Sequence, residues 1–228
     1  MKILIYYGCM LITVLSLASC SKSSKDDSPK SKSIEEIIPS NLLTKLKGKM
    51  NIYDGDTPPS IDGCYLISPA FLVSSTLSDD SYGDKYCDNY IKFTDQNKNN
   101  VVTFNSYESY SNQVDTSSSN LVSIRGAGNF FTAYFTENTV DAIHNNTTAT
   151  AATVISGEKL SSGIKNIRYA FLMISKNDPD SVYVPINSIR IFADEDSIVE
   201  NATWPTTKVF RIINICKNKI KLRCMYKK

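Results

Sequence analysis

The chain has 228 residues, a length that suits one domain, and its 25 Lys and Arg almost balance 23 Asp and Glu. The charge is uneven along the chain: residues 20–204 hold sixteen basic and twenty-three acidic side chains, whereas residues 205–228 hold eight basic and none acidic. A body with a net charge of about −7 argues against nucleic acid, and against an anionic membrane surface, as the partner of the domain.

Residues 1–19 have the pattern of a secretory signal peptide, with one basic residue, an apolar run and a small-residue pair before Cys20. The apolar run is too short for a stable transmembrane helix. Leu17-Ala18-Ser19-Cys20 resembles the lipobox of bacterial lipoproteins. The resemblance implies that the Cys20 thiol receives a diacylglycerol and that Cys20 becomes the first residue of the mature protein. The lipid would then anchor the protein to a membrane.

Residues 20–33 contain serine, lysine, aspartate and proline but no apolar residue after Cys20, which predicts a flexible tether. Within it, Lys25-Asp26-Asp27 resembles the surface-export signal of Bacteroidetes lipoproteins. The resemblance implies a place on the outer face of the outer membrane. The alternative is a merely soluble linker.

Residues 34–60 predict a short helix followed by an extended, turn-rich lead-in. Apolar residues lie on both sides of Pro39. Ser40 or Asn41 is a suitable cap for the helix that follows, and Gly48 is a suitable end.

Residues 61–204 predict an all-β domain, because short apolar runs alternate with polar residues between glycine and asparagine turns. The spacing favours an antiparallel β-sandwich or a lipocalin-like β-barrel. The runs around Ile91 and Val102 read as a hairpin. Both faces of residues 167–174 are mostly apolar, so this strand is expected to be central and covered on two sides.

Residues 52–66, 90–96 and 128–135 resemble a group of uncharacterised Bacteroides-type surface lipoproteins, over roughly residues 34–204. The resemblance implies an outer-membrane location and an all-β domain. It implies no activity and no site residues. The basic tail, residues 205–228, lies outside it. The tail holds no clean helical stripe of apolar residues, so a degenerate end of the gene is preferred to a membrane-contacting helix.

Cys64 and Cys87 are the only cysteine pair in the body and are either disulfide-bonded or free. The chain has one histidine, His144, in a polar loop, and no C-x-x-C motif. These features argue against a zinc site, and we expect neither a metal nor another cofactor.

Tyrosines cluster in and beside the loops of residues 80–110, and amphipathic rings suit the mouth of a glycan or small-ligand site. The alternative is that tyrosine is simply common in exported β-proteins. The candidates are Tyr82, Tyr86, Tyr90, Tyr107 and Tyr110. Ser181 and Ser197 each follow an aspartate and precede an aliphatic residue, a pattern that resembles Bacteroidetes O-glycosylation sites.

No P-loop, G-x-S-x-G or dinucleotide motif is present, and the acids suggest no particular catalytic pair. The sequence therefore predicts a lipid-anchored surface domain that binds a glycan, a small apolar ligand or an envelope protein, without catalysis. A structural or adhesion component is the second hypothesis. A hydrolase with a carboxylate pair is the third.

Overall fold

The structure, a computed structural model, describes residues 32–46, 48–110, 113–143, 147–205 and 224–227. Two short helices come first, α1 at Ile34–Ile37 and α2 at Ser40–Leu46. Pro39 separates them, because proline disfavours a helical conformation in the residue before it. Gly48 follows with a φ of 79°, a left-handed conformation that glycine adopts without steric cost. The predicted helix is confirmed, but it begins at Ser40, so Ser40 and Asn41 lie within its first turn and do not precede it as a cap.

Twelve strands follow among the described residues. The first six are β1 (Asp56–Thr57), β2 (Gly63–Ile67), β3 (Ala70–Ser75), β4 (Lys85–Tyr86), β5 (Asn89–Thr94) and β6 (Val101–Tyr110). The other six are β7 (Gln113–Ala127), β8 (Phe130–Asp141), β9 (Thr148–Leu160), β10 (Gly163–Asn177), β11 (Ile189–Asp194) and β12 (Ile198–Asn201). The expected all-β class and the hairpin of β5 and β6 are confirmed.

The strand pairings close into a barrel. From β5 to β10 each strand pairs antiparallel with the next along the chain. β11 and β12 follow one another along β10, and β3 and β2 lie beside them. β4 and β5 then pair with β3 and β2, which completes the circle. With β2–β3, β4–β5 and β11–β12 each taken as one interrupted strand, the barrel has eight strands, and its interior is just wide enough for side chains or one small ligand.

The barrel has two different ends. At one end, packed apolar side chains fill the interior, among them Tyr65, Phe93, Phe104, Ile124 and Phe131. At the other end lie the loops 76–84 and 178–188, and the interior there carries buried acidic side chains. We call this second end the acidic end and define it by Glu108, Asp115, Glu137 and Asp141.

Both faces of β10 are covered, as the sequence predicted. Its inward residues belong to the interior cluster: Ile167, Tyr169, Phe171 and Met173. Its outward residues pack beneath the two helices: Ala170 and Leu172 lie with Ile38, Leu42 and Leu46. Among the described residues, no helix has the length and apolar character needed to cross a membrane.

Candidate functional site

Residues 224–227, here called the inserted segment, lie inside the acidic end of the barrel. Each of the four is at most 1% exposed. The backbone N–H of Val184 donates to the oxygen of Tyr226 at 2.9 Å, and Tyr183 forms a β-bridge with Lys227. Residues 205–228 were expected to be an atypical basic tail, and these four residues of it pack inside the barrel. Residues 206–223 and 228 of that tail lie outside the described residues.

Arg190 of β11 holds the backbone of the inserted segment. Its Nη1 donates to the backbone oxygens of Met225 and Lys227, both at 2.7 Å. Its Nε and Nη2 donate to the two carboxylate oxygens of Asp80, at 2.7 and 2.9 Å. Because Arg190 is 1% exposed, its five donor hydrogens depend on protein acceptors, and these contacts use four of them.

Three acids form a row across neighbouring strands at the acidic end. Glu108 of β6 lies directly opposite Asp115 of β7, which lies directly opposite Asp141 of β8. All three point inward and are 1–3% exposed. Like charges directly opposite one another destabilise a sheet, and a buried charge is costly unless it is paired. The row therefore requires a cation.

Lys227 of the inserted segment supplies that cation. Its Nζ lies 3.2 Å from Oδ1 of Asp115 and also contacts Oδ2 of Asp141. It lies 5.2 Å from the ring centroid of Tyr183, whose hydroxyl donates to Asp115 at 3.1 Å. Burial favours the neutral amine, but the two carboxylates outweigh it and raise the pKa of Lys227.

Tyr226 binds a further acid, deeper in the barrel. Its hydroxyl donates to Oε1 of Glu137, which also accepts from Tyr169 at 2.8 Å and from Thr153 at 2.5 Å. Its ring lies 4.3 Å from that of Phe171, centroid to centroid. Burial raises the pKa of Glu137, although the three hydroxyl donors oppose that shift.

The acids of the row differ in protonation. Burial and the charge of Asp115 raise the pKa of Glu108 to about 8. Burial also raises the pKa of Asp115, to about 6, against the lowering effect of Lys227. At neutral pH Glu108 is therefore mostly protonated, whereas Asp115 carries the charge that Lys227 neutralises.

The acidic end has hydrogen-bonding capacity that the described residues do not use. Within this part of the chain, Oε1 of Glu108, Oδ2 of Asp115 and Oε2 of Glu137 are buried and have no hydrogen-bond partner. Such groups are rare in folded proteins and cost about 1–3 kcal/mol each. The Asp115 and Glu137 oxygens are acceptors available to a donor-bearing ligand, whereas Oε1 of the protonated Glu108 carries a hydrogen that can be donated.

Two cysteines meet at the edge of this site. The Sγ atoms of Cys87 and Cys224 are 3.0 Å apart, and Sγ of Cys87 lies 3.7 Å from Oε2 of Glu108. The three side chains form a buried group of possible metal ligands within 4.8 Å of one another. Burial raises the pKa of the Cys87 thiol.

Cys64 and Cys87 were expected to be either disulfide-bonded or free, and the structure has both as free thiols. Cys64 lies opposite Lys92 of β5, whereas Cys87 lies before the start of β5 at Asn89. Sγ of Cys87 instead lies 3.0 Å from Sγ of Cys224.

The tyrosine candidates do not line one mouth. Tyr86 is buried inside the barrel, whereas Tyr90 and Tyr107 lie opposite each other on its outer face. Tyr82 is 79% exposed, in the loop 76–84. The interruption between β4 and β5 reverses the alternation, so Tyr86 and Tyr90 face opposite sides. The side chain of Tyr110 lies outside the described part of the chain.

The remaining candidates stay predictions. Ser181 and Ser197 lie in exposed turns with φ of 55° and 69°, so both hydroxyls are accessible for O-glycosylation. Cys20 and His144 lie outside the described residues.

A cleft of about 400 Å³ on the outside, beside α1, is a weaker candidate site. Arg125 lines it, but already pairs with Asp54 and Asp56 at 3.1 and 2.5 Å. The acidic end combines buried charge, unused acceptors and a bound segment, so we take it as the candidate functional site.

No protein family, curated protein or solved structure matches this chain. The functional argument therefore depends on the residues of the acidic end.

Sequence reasoning did not identify these residues, although a partial signal was present. Glu108 continues the inward alternation of Phe104 and Ser106, and Glu137 continues that of Phe131, Ala133 and Phe135. Acids at core positions of a strand indicate a buried charge that needs a partner. No local pattern indicated that residue 227 is that partner.

Proposed function

We propose that this protein is a lipid-anchored, cell-surface binding protein of the outer membrane, and that its barrel holds a ligand at the acidic end without catalysing a reaction. The lipid anchor rests on Cys20 and the surface location on Lys25-Asp26-Asp27. The observation that carries ligand binding is the inserted segment. Interior groups hold it by its backbone and by its side chains, as they would hold a bound peptide.

The interior favours a polar ligand over a small apolar one. Its apolar end is filled by its own packed side chains. Buried oxygens without a partner among the described residues include those of Asp115 and Glu137 at the acidic end. Tyr86 faces the interior of the barrel and Tyr90 faces its outer surface. Because the two rings lie on opposite faces, they do not support a glycan site lined by both tyrosines.

The two other hypotheses have less support. A structural or adhesion role that works by strand addition needs a long unpaired edge, but the pairings of the described strands close into a circle. The different pKa values of Glu108 and Asp115 suit the acid and the base of a hydrolase. However, the ion pair with Lys227 lowers the basicity of Asp115.

A thermal-shift screen of the full-length protein in detergent tests the binding function. The panel contains glycans, bile salts, fatty acids, short peptides and amines. A ligand at about 100 times its Kd adds about 2.7 kcal/mol of stability. We expect Asp115→Asn to reduce that shift and Tyr90→Ala to leave it unchanged. The reverse pattern would move the site to the outer face, and no shift with any class would contradict ligand binding.

A further inference from the structure

We infer that the acidic end of the barrel is a binding site for a primary alkylammonium group, and that Lys227 is its internal occupant. The inference rests on the proposed binding function and names the chemical class of the ligand. Three features of the acidic end support it: the residues that contact the Lys227 ammonium, the acceptor atoms that have no hydrogen-bond partner, and the contacts of Arg190 with the neighbouring backbone.

The barrel itself supplies the contacts to the Lys227 ammonium. Asp115 comes from β7, Asp141 from β8 and Tyr183 from the loop 178–188. Carboxylates combined with an aromatic face are a common way for proteins to recognise ammonium groups. None of these contacts depends on the ammonium being part of this chain.

The site can accept more donors than the described residues give it. Oδ2 of Asp115 is buried without a hydrogen-bond partner in that part of the chain. An ammonium carries three donor hydrogens and no acceptor. A neutral sugar or a fatty acid would leave the charge of the row without compensation, so the row selects for a cation.

One ligand chemistry has two sources here, a lysine side chain of a peptide or a free alkylamine. A peptide would bind at a second point, because Nη1 of Arg190 donates hydrogen bonds to the backbone oxygens on both sides of Tyr226. A free amine would use the carboxylates alone. The two sources therefore differ in their dependence on a peptide backbone.

Chemical rescue of Lys227→Ala in the full-length protein tests the site. The substitution removes three carbons and the ammonium, which n-propylamine replaces atom for atom. The uncharged 1-propanol has the same shape and is the ligand control. Lys85→Ala is the protein control, because Lys85 pairs with Glu195 at the surface, where the two side chains are 45% and 49% exposed.

We expect Lys227→Ala to lower Tm by several degrees and n-propylamine to restore part of that loss, whereas 1-propanol restores none. Lys85→Ala should lower Tm only slightly, and n-propylamine should not raise the Tm of this variant. If the variant does not fold, refolding it from urea with each compound gives the same comparison through the yield of folded protein. Rescue by neither compound, or by both equally, overturns the ammonium site.

A Met-Tyr-Lys peptide separates the two sources in a variant that lacks residues 224–228, in which the backbone contacts of Arg190 are vacant. If the peptide rescues this variant at lower concentration than n-propylamine does, the backbone contacts to Arg190 contribute and a peptide is the ligand. If the amine is as effective, a free amine is the ligand. If neither rescues, but another class from the screen binds in an Asp115-dependent way, the ammonium inference fails and the binding function stands.

A separate observation, the 3.0 Å distance between Sγ of Cys87 and Sγ of Cys224, leads us to propose that a disulfide joins these residues in the oxidised protein. A covalent S–S bond is about 2.05 Å long, so a small movement suffices. Zinc bound at about 2.3 Å by each sulfur would hold tetrahedral thiolates farther apart than this. The described residues also offer it only one further ligand, Glu108.

The bond forms by thiol–disulfide exchange with a disulfide donor, either a dithiol oxidase of the cell envelope or a small disulfide. One protein thiolate attacks the donor disulfide and releases one donor thiol. The second protein thiolate attacks the resulting mixed disulfide and releases the other. Two protein thiols are oxidised to one disulfide, the donor disulfide is reduced to two thiols, and the two protons of the protein thiols end on the donor thiols. The product fixes the inserted segment to the loop after β4.

Peptide mapping without reduction, after free thiols of the full-length protein have been alkylated, tests the bond. We expect a Cys87–Cys224 crosslink and an alkylated Cys64. Cys64→Ser should keep the crosslink, and Cys87→Ser should abolish it. Alkylation of both Cys87 and Cys224 after incubation with oxidised glutathione, a crosslink of either residue to another cysteine, or one bound zinc per chain would overturn the proposal.

Discussion

Asp80 and Arg190 form a two-point ion pair inside the protein, between the loop 76–84 and β11, across 110 positions of sequence. Their side chains are 0% and 1% exposed. Because the same guanidinium binds the oxygens of Met225 and Lys227, this pair determines how the inserted segment is held.

Asp80→Asn should therefore be strongly destabilising. Removing one partner of a buried pair leaves an uncompensated charge and costs about 3–5 kcal/mol. Urea unfolding measures the loss. Glu195→Gln, which breaks the exposed pair with Lys85, is the control and should cost less than about 1 kcal/mol. Equal losses in the two variants would show that Arg190 does not depend on Asp80.

The stability of the protein should contain a contribution from Glu108 that decreases as pH rises. The pKa of Glu108 is about 8 in the folded state against an ordinary value of 4.5, so the folded state binds the extra proton between these values. Raising the pH through this range removes that contribution, by at most about 1.4 kcal/mol per pH unit. Asp115, Glu137 and Cys87 face Glu108 and titrate as well, so a single profile is insufficient.

Glu108→Gln isolates the contribution of Glu108, because glutamine keeps the shape of the protonated acid. Urea unfolding of both proteins at about pH 5.5 and pH 8.5 should show a smaller decrease in the free energy of unfolding for the variant. Parallel decreases in the two proteins would mean that Glu108 is charged throughout this range.

Gly163→Ala should weaken the closure of the barrel. Gly163 has a φ of 154°, and a Cβ there would lie 2.0 Å from the backbone oxygen of Val199 in the neighbouring β12. Gly128 has a φ of 61°, but a Cβ there meets nothing within 4 Å, so Gly128→Ala is the matched control. We expect the control to cost about 1 kcal/mol for its left-handed backbone and Gly163→Ala to cost more. Similar thermal unfolding of both variants would indicate that β12 can move away.

Leu42→Ala should detach α2 from the barrel. Leu42 is fully buried against the outer face of β9 and β10, and a Leu→Ala change at such a site costs about 2–5 kcal/mol. Leu43 is only partly buried against the same cluster, so Leu43→Ala should cost less. Thermal unfolding by circular dichroism gives the order of the two losses, and the opposite order would place the helix in a different rotation.

The strand pattern of the domain was predictable because alternation is a local property. The apolar faces of residues 167–174 indicated a strand covered on both sides, and α2 and the interior do cover β10. The sequence did not decide between a sandwich and a barrel. Closure depends on which distant strands pair, such as β12 with β10, and no local periodicity encodes that choice.

The candidate site was less predictable for two physical reasons. The tyrosine candidates are divided between the two faces of the sheet, because a two-residue interruption after Tyr86 reverses which face the next residues occupy. The role of residues 224–227 was missed because their contacts depend on charge and shape complementarity with the finished barrel. The net charges of the basic tail and the acidic body have opposite signs, but they do not indicate which residues of the two parts meet.

The inserted segment also makes contacts over very long sequence separations: Cys224 meets Cys87 across 137 positions, and Lys227 meets Asp141 across 86. Long-range contacts form late in folding, because the intervening loop must close first. The consecutive antiparallel strands β5 to β10 can therefore assemble before the inserted segment enters the barrel. Substitutions in the segment should then speed unfolding and leave the folding rate nearly unchanged. The species that precedes entry is a nearly complete barrel with negative charge inside, and cations in the surroundings have their best access to it at that moment.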